Sequence, residues 1–293
     1  MFTLAFFVAL AFGAPVDIFK NPAPSLQDAL GTQQIAAFKP YSYYAAAAYS
    51  HPSLTMSWTC GENCAANAKF RPVASGGDGG FTQYWYVGYD PTLNEVIVAH
   101  QGTNLTRLEA LLVDAGLFFQ PLDSTLFPDA PPLALVHSGF AGSHVRVAAA
   151  TRVAVQRALQ TYGTQSVTVV GHSLGAAIGV LNAIYLSHFL SSVVTVKFIG
   201  YGMPRVGDGA WAKYADATSA SITRINNQED PIPRLPPLIL QYRHTSGEIH
   251  IQDPQVWVPC HAGRDNLSPL CSSGDLSALN VTDHSGPYDG VIV

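Results

Sequence analysis

Charged side chains are scarce in this sequence of 293 residues. Lys and Arg number 15 and Asp and Glu number 20, so that 12% of the chain is charged and the formal net charge is −5. No run of Lys or Arg occurs, and a protein that binds nucleic acid needs a basic surface to contact the phosphates. We therefore expect no nucleic-acid partner. The 48% of hydrophobic residues instead supply a sizeable core for a globular domain.

Long uncharged hydrophobic runs are also missing. A membrane-spanning helix needs about 20 consecutive apolar residues. The longest apolar stretch, 176–190, contains Asn182 and His188 and has a helical pattern of apolar residues. The sequence therefore predicts no transmembrane segment.

The N-terminus carries a shorter apolar run. Leu4 to Phe12 is apolar, is too short to span a bilayer, and is followed by small residues that are typical of a cleavage site. We interpret residues 1–13 as a secretory signal peptide. Residues 14–25 contain three prolines and are interpreted as a flexible arm or short pro-segment. Residues 26–293 are expected to form a single domain.

Cysteine is rare, with four residues in the chain. Four cysteines allow three disulfide connectivities. Cys60 and Cys64 are close enough to close a small loop, and Cys260 and Cys271 flank a loop rich in Pro, Gly and Ser, so we favour the pairings 60–64 and 260–271. The alternative, a metal site at Cys60 and Cys64, is disfavoured because no His or further Cys lies near them in the sequence.

Three sequons suit a secreted glycoprotein. Asn104, Asn266 and Asn280 each begin the pattern Asn-x-Ser/Thr, which makes them candidate glycosylation sites. Pro269 follows the second sequon directly and is expected to weaken its use.

The most informative stretch present is 171–175, with the sequence Gly-His-Ser-Leu-Gly. It follows a β-branched strand at 167–170 and precedes the apolar helix at 176–190, which is the arrangement of a nucleophile elbow. Ser173 would occupy a sharp turn with its hydroxyl exposed, and the two glycines would remove Cβ atoms that collide where strand and helix cross. The N–H of Leu174 would then point toward a developing oxyanion.

The rest of the pattern alternates strands with helices. Predicted strands cover 81–89, 95–100, 167–170, 193–201 and 221–226, and predicted helices cover 27–50, 145–159, 176–190 and 211–217. The first two strands are separated by Asp90 and Pro91, which favours a hairpin. This order predicts an α/β domain with a central, mainly parallel sheet flanked by helices.

A serine nucleophile needs a histidine base and an acid that orients it. In the α/β-hydrolase order both follow the serine. Asp230 is the best acid, because it follows a predicted strand and precedes Pro231, which places it at the carboxyl edge of the sheet.

The sequence pattern alone does not identify which histidine is the base. His244, His250, His261 and His284 all lie downstream of the acid. A lone histidine is more often structural than catalytic. His172, inside the elbow, is expected to point away from the reacting atoms and to brace the turn.

The second oxyanion donor is expected in the loop after the strand that ends at residue 100. Gly102 allows a close backbone approach there, and Thr103 offers an N–H and a hydroxyl. The apolar segment from Asn104 to Phe119 follows directly. From its pattern, this segment is either a packed helix or a mobile lid whose apolar face meets lipid.

Together these motifs resemble the fungal class 3 lipases, the secreted triacylglycerol lipases related to the Rhizomucor and Thermomyces enzymes. The resemblance covers about 81–288. It rests on Ile97-Val98 with Gly102-Thr103, His137 to Phe140, Val169 to Gly175, Tyr201 to Gly207, Asp230 to Pro237, Tyr242 with His244, and Asp283-His284 with Tyr288.

The resemblance implies an α/β-hydrolase fold with a lid beginning near Asn104. It implies a triad of Ser173, Asp230 and His284, which settles the histidine, and oxyanion donors at Thr103 and Leu174. It implies a secreted monomer that needs no metal or organic cofactor.

The expected activity is hydrolysis of carboxylic esters through an acyl-enzyme, with triacylglycerol at a lipid–water interface as substrate. A feruloyl esterase or another esterase for soluble esters is the main alternative, since it shares the elbow and the Asp-Pro segment. The leucine-rich lid favours a lipid acyl chain. A non-catalytic lipid-binding relative is the minor alternative.

The sequence departs from the family pattern at three places. Ala99, His100 and Gln101 lead into the Gly-Thr pair where the family has Phe-Arg. Ala176 follows the elbow where many members have glycine, and the lid lacks the tryptophan of some members. The hydrogen bonds around the lid hinge are therefore expected to differ from the family pattern.

Overall fold

The structure of the chain is a computed structural model. It describes residues 24–103, 118–254, 256–261, 263–275 and 279–293. The predicted signal peptide, most of the predicted arm and nearly all of the predicted lid, Asn104 included, lie outside these ranges. Within them, no helix has both the length and the apolar character needed to cross a membrane.

The described residues form strands and helices in alternation. The strands are β1 (Arg71–Gly76), β2 (Trp85–Asp90), β3 (Glu95–His100), β4 (Phe119–Pro121), β5 (Leu135–His137), β6 (Ser166–His172), β7 (Thr195–Tyr201), β8 (Gly207–Asp208), β9 (Ser221–Asn227), β10 (Tyr242–Arg243), β11 (Glu248–Asp253) and β12 (Val256–Pro259). The α-helices are α1 (Thr32–Ala36), α2 (Lys39–Ala47), α3 (Pro52–Ser57), α4 (Glu62–Ala65), α5 (Ser138–Tyr162), α6 (Leu174–Phe189) and α7 (Gly209–Ala217). Short 3-10 helices cover Leu26–Asp28, Ile232–Arg234, Leu238–Leu240 and Val281–Ser285.

The main sheet has the strand order β1-β2-β3-β6-β7-β9-β11-β12. Strands β3, β6, β7, β9 and β11 run parallel to one another, and antiparallel strands lie at both edges. Every residue of β3 is buried, as is expected of a strand covered on both faces. The predicted α/β fold with a parallel sheet centre is confirmed, and the predicted hairpin is present as β2 and β3.

Helices cover both faces of this sheet and create two hydrophobic clusters. One cluster lies between the sheet and helices α5, α6 and α7, and includes Phe140, Leu181, Phe198 and Trp211. The other lies under the N-terminal helices and includes Tyr44. Helix α6 is buried over its whole circumference from residue 174 to 186 because it lies between the sheet and α5.

A second, four-stranded sheet in the order β10-β8-β5-β4 was not predicted. Its strands are two or three residues long, which is too short for a period-two pattern. Val136 pairs with Gly207 in this sheet, so that the start of α5 is tied to the loop after β7.

Both cysteine pairs form disulfides in the favoured connectivity. Cys60 is bonded to Cys64, with Cα atoms 5.2 Å apart. Cys260 is bonded to Cys271, with Cα atoms 6.0 Å apart. The second bridge closes the loop that follows β12.

A pair of histidines is buried at the carboxyl end of β3 and in the first turns of α5. His100 and His144 are each 1% exposed. The amide nitrogen of Asn182 lies 2.8 Å from Nε2 of His100, where it can donate to the neutral ring. Burial lowers the pKa of His100 to about 3, and the nearby His144 contributes in the same direction. Burial also lowers the pKa of His144 to about 3.

These two histidines predict a loss of stability in acid. Their folded-state pKa values lie below the unfolded value of about 6.5, so the unfolded chain binds more protons between these limits. The stability that they contribute is therefore complete above about pH 6.5 and declines as the pH falls toward 3. His100→Gln should reduce the slope of unfolding free energy against pH by up to about 1.4 kcal/mol per pH unit between pH 6 and 4.

Urea denaturation at pH 7, 5.5 and 4 measures this slope. The control is His51→Gln, which removes an imidazole from the surface. An unchanged slope in His100→Gln would contradict the role of His100 in acid denaturation.

Candidate active site

Ser173 lies on the turn between β6 and α6. Its backbone has φ 59° and ψ −129°, which is a strained conformation for a residue with a side chain. Such a conformation costs about 1–3 kcal/mol and persists only when its surroundings hold it. Here the Ser173 N–H donates to the carbonyl of Tyr201 at 2.9 Å, which ties the turn to the end of β7.

The two glycines of the elbow are required by close backbone contacts. A Cβ on Gly171 would lie 2.3 Å from the carbonyl oxygen of Gly175. A Cβ on Gly175 would lie 2.2 Å from the carbonyl oxygen of His100. The sequence-based explanation for both glycines therefore holds, and the second contact places the loop after β3 against the start of α6.

Asp230 and His284 are in direct contact. Nδ1 of His284 donates to Oδ2 of Asp230 at 2.8 Å, and each side chain is 1% exposed. The other carboxylate oxygen, Oδ1, accepts the N–H of Ile232 at 2.8 Å. The carboxylate is therefore fixed on both sides, and it holds the imidazole with Nε2 directed away from the pair.

Gly202 connects the turn of Ser173 to the pair formed by His284 and Asp230. It follows Tyr201 directly and has φ 53°. A Cβ at Gly202 would lie 2.8 Å from Nδ1 of His284 and 2.9 Å from Oδ2 of Asp230. Oγ of Ser173 and Nε2 of His284 are both buried and lack a hydrogen-bond partner among the described residues. The structure thus brings the three side chains into one buried site with a free hydroxyl and a free ring nitrogen.

Asp283 connects the loop of Asp230 to the turn of His284. Its Oδ2 accepts the N–H of Glu229 at 3.2 Å, and its Oδ1 accepts the side-chain amide of Asn280 at 2.9 Å. Its main-chain carbonyl accepts the amide of Asn227 at 2.9 Å. Asn280 also caps the short helix that carries His284, because its Oδ1 accepts the N–H of Thr282 at 3.1 Å.

The other candidate histidines are placed elsewhere. Nε2 of His244 lies 2.7 Å from the carbonyl of Pro233, and burial lowers the pKa of His244 to about 3. The two ring nitrogens of His250 lie within 3.1 Å of backbone carbonyls. His261 is exposed. Of these histidines, His284 is the one in contact with Asp230. The sequence pattern alone had not decided among the four.

The loop with Thr103 is held against the elbow. The N–H of Gln101 donates to the carbonyl of Tyr84 at 2.8 Å, and its side-chain oxygen accepts the Tyr84 N–H at 2.8 Å. Leu174 begins α6, and the first amides of a helix have no carbonyl partner within it. Gln101, which departs from the family pattern, therefore anchors the loop that brings Thr103 toward the helix start.

Buried Arg205 fixes the proline-rich segment after Asp230. Its guanidinium donates to the carbonyl of Arg234 and, at 3.0 Å, to that of Pro236. It also pairs at 2.8 Å with Asp265, on the loop closed by the second disulfide, and donates at 3.0 Å to Ser273, which follows that loop. Sequence reasoning missed this arginine because its partners lie 29–68 positions away.

One residue beside the elbow lay outside the sequence prediction. Tyr49, from the turn after α2, lies 2.7 Å from Nδ1 of His172. The sequence offered no signal for Tyr49, which falls in a segment rich in Ala and Tyr. Tyr288, which the sequence analysis named only as part of the family resemblance, donates to the carbonyl of His284 at 3.0 Å. The ring of His172 contacts that carbonyl and so braces the turn as expected, but it lies 4.4 Å from the ring of His284 and does not point away from it.

Two of the three predicted glycosylation sites, Asn266 and Asn280, lie among the described residues. Asn266 is 9% exposed and its Oδ1 accepts the Ser268 N–H at 2.9 Å, whereas Asn280 is half-buried. Glycosylation at the three sequons remains a prediction. Over the described ranges, no group of three or more His, Cys, Asp or Glu side chains is arranged to hold a metal ion.

A buried serine, histidine and carboxylate in this arrangement can perform nucleophilic acyl transfer. The carboxylate fixes the tautomer of the imidazole, the imidazole removes the proton of the serine, and helix-start amides can stabilise a developing oxyanion.

Comparisons with known proteins agree with this chemistry. Residues 97–240 match the family described as Lipase (class 3). A secreted mono- and diacylglycerol lipase of Malassezia restricta is 28% identical over 196 residues, which is 66% of this chain and 61% of the relative. The match thus spans about three fifths of that relative's length.

Solved structures extend the likeness to nearly the whole chain. The lipase of Rhizopus microsporus var. chinensis is 25% identical with a TM-score of 0.78, and the match covers 96% of this chain and 98% of that one. A triacylglycerol lipase whose catalytic centre is a serine protease triad is 25% identical with a TM-score of 0.77, over 90% of this chain and 97% of that one. The strained serine turn, the carboxylate-bound histidine and this common fold thus make the chain similar to the class 3 lipases, whose family it matches over residues 97–240.

Proposed function

We propose that the protein is a secreted serine carboxylester hydrolase that cleaves acylglycerols. One observation carries the proposal. His284, fixed by Asp230 at 2.8 Å, leaves a buried and unpartnered Nε2 in the same site as the unpartnered hydroxyl of Ser173. A hydroxyl and a ring nitrogen placed in this way are the parts of an activated nucleophile.

The reaction proceeds in two halves. Nε2 of His284 takes the proton of Ser173, whose Oγ attacks the ester carbonyl carbon to form a tetrahedral intermediate. The alcohol leaves with the proton from His284, which produces an acyl-enzyme. Water then attacks the acyl-enzyme by the same route, releases the fatty acid and restores the serine. Asp230 orients His284 throughout and stabilises its imidazolium.

The N–H groups of Thr103 and Leu174 are the proposed oxyanion donors. The position of Leu174 at the start of α6 supports its role, because its amide is free of intrahelical bonds and lies at the positive end of the helix dipole. The contact between Gly175 and the carbonyl of His100 supports Thr103, because it places the loop of Thr103 beside the helix start.

The substrate class follows from the relatives. The Malassezia relatives are described as secreted mono- and diacylglycerol lipases, and the solved relative with the triad is described as a triacylglycerol lipase. These names support acylglycerols over cinnamoyl esters, and action at a lipid–water interface by a monomer remains part of the proposal. Two disulfides agree with secretion, since they persist in oxidising compartments.

Ser173→Ala tests the proposed nucleophile. We expect its turnover of a tributyrin emulsion to fall by roughly 10⁴- to 10⁶-fold, the range seen when triad members are removed. Ser57→Ala, which removes a serine hydroxyl from the exposed surface, is the matched control and should keep full turnover. Near-wild-type hydrolysis by Ser173→Ala would exclude the mechanism.

The substrate class is measured with the wild-type protein. Emulsions of triolein, diolein and monoolein are compared with methyl ferulate, and the Ser173→Ala protein serves as the blank. Cleavage of the oleoyl glycerides supports the proposal, and their ratio separates a triacylglycerol lipase from one limited to partial glycerides. Cleavage of methyl ferulate alone would move the protein to the esterase alternative.

Asp283→Ala tests how the histidine turn is held. Loss of both carboxylate acceptors frees the N–H of Glu229 and the amide of Asn280, so that His284 is less well aligned with Ser173. Small misalignments of catalytic groups cost up to about a hundredfold in rate. We expect kcat to fall by about tenfold or more with KM little changed, measured on a soluble p-nitrophenyl ester.

Asp129→Ala, which removes a carboxylate that is 79% exposed, serves as the control for this variant. Asp283→Asn keeps one acceptor and should lie between Asp283→Ala and the wild type. A kcat for Asp283→Ala within twofold of the wild type would show that the turn does not depend on Asp283.

A further inference from the structure

The hydroxyl of Tyr49 reaches the back of the elbow. Tyr49 lies in the turn after α2, where its N–H donates to Ala46 at 3.2 Å. Its hydroxyl is 2.7 Å from Nδ1 of His172, the residue that precedes Ser173. The N-terminal helices therefore contribute a polar atom to the surroundings of the site.

The directions of the hydrogen bonds at His172 are determined by one atom. Nε2 of His172 lies 2.7 Å from the main-chain carbonyl of His284, which can only accept. Nε2 therefore carries the proton. Burial holds the pKa of His172 well below its usual range, so the ring is neutral and Nδ1 is an acceptor. It follows that the Tyr49 hydroxyl is the donor to Nδ1.

The other side of Tyr49 faces the proposed oxyanion loop. The hydroxyl oxygen packs directly against the main chain of Gly102. A Cβ on Gly102 would lie 2.1 Å from this oxygen and 2.6 Å from the carbonyl of His172, so a glycine is needed at this position. A series of contacts thus runs from Gly102 through Tyr49 and His172 to the carbonyl of His284.

This series of contacts ends at His284, the residue that the proposed mechanism uses as the base. The rings of His172 and His284 are 4.4 Å apart. The carbonyl of His284 also accepts the hydroxyl of Tyr288 at 3.0 Å. Two donors therefore fix the main chain of His284, and one of them depends on the tautomer of His172.

We propose that Tyr49 is a positioning residue for ester hydrolysis, which fixes the orientation of the His172 ring that holds the base in place and ties the base to the oxyanion loop. The inference rests on the proposed function. Tyr49 touches neither the substrate nor the reacting atoms and acts through His172. It also occupies the lone pair at which His172 would take a second proton, so that the positive charge that forms during the reaction stays on His284.

Loss of the Tyr49 hydroxyl has a definite structural consequence. Nδ1 of His172 would be left buried without a donor, which is unfavourable. The ring would then be held on one side only, by the bond from Nε2 to the carbonyl of His284. A ring that is free to tilt positions this carbonyl less well, so the base would be less well aligned with Ser173.

The test is a double-mutant cycle on Tyr49 and His172, measured as kcat and KM for p-nitrophenyl butyrate. Tyr49→Phe should lower kcat by about tenfold at unchanged KM, since a tenfold change corresponds to about 1.4 kcal/mol in the barrier. In a His172→Leu background, the same substitution should change kcat by less than about twofold, because the acceptor has gone. His172→Gln should retain more activity than His172→Leu, since its amide can both donate to His284 and accept from Tyr49.

A second measurement does not depend on the folding of the leucine variant. Nitrogen-15 NMR of the imidazoles reports the hydrogen bonding of each His172 nitrogen directly. The wild type should show a protonated Nε2 and an unprotonated Nδ1 that accepts a hydrogen bond, and Tyr49→Phe should shift the Nδ1 resonance toward that of a nitrogen without a donor. Tyr86→Phe is the matched control, because it removes a buried tyrosine hydroxyl bonded to the carbonyl of Tyr44 at 2.7 Å, outside the site. It should lower the melting temperature while leaving kcat and the Nδ1 resonance of His172 unchanged.

Three results would overturn the inference. One is a kcat of Tyr49→Phe within twofold of the wild type. Another is an equal fractional loss in the wild-type and His172→Leu backgrounds. The third is an unchanged Nδ1 resonance of His172 in Tyr49→Phe. Failure of the proposed function is distinct from all three, because it would leave the wild-type protein itself without Ser173-dependent ester hydrolysis.

Discussion

The backbone turn at Ser173 is the constraint on which the rest of the site depends. A serine at φ 59° is stable only if the strand before it and the helix after it are held independently. Strand β6 is central in the parallel sheet, and α6 is buried from residue 174 to 186. The elbow also requires that strand and helix nearly touch, which is why a Cβ at Gly171 or Gly175 would lie only 2.2–2.3 Å from a backbone carbonyl oxygen.

Because the central strands are parallel, the other residues of the site lie at the same edge of the sheet as Ser173. The carboxyl ends of neighbouring parallel strands share one edge of a sheet. β3 ends before Gly102, β6 before Ser173, β7 before Gly202 and β9 shortly before Asp230. His284 comes from a short helix without a strand of its own, so hydrogen bonds to the loop of Asp230 must hold it instead.

This difference explains what the sequence could predict. The elbow, the long helix and Asp230 are local signals, since each depends on residues within a few positions, and they were found from pattern alone. The choice of His284 over His244 and His250 depended on the family resemblance. The partners of those two rings are carbonyls 11–22 positions away, and no periodicity encodes such contacts. The second sheet was missed because its strands are too short, and Tyr49 because its partner is 123 positions away.

Electrostatics distinguishes the base from the other buried histidines. Burial lowers the pKa of His100, His137, His144 and His244 to about 3 or 4, and the rings of His100 and His244 contact an amide and a backbone carbonyl. Among the described residues, His284 is the buried histidine whose ring is hydrogen-bonded to a carboxylate. A neutral histidine beside it, as at 172, can donate to its main chain without competing for the proton. Burial thus disfavours the charged form of the surrounding imidazoles, and the contact with one buried carboxylate distinguishes His284 as the proposed base.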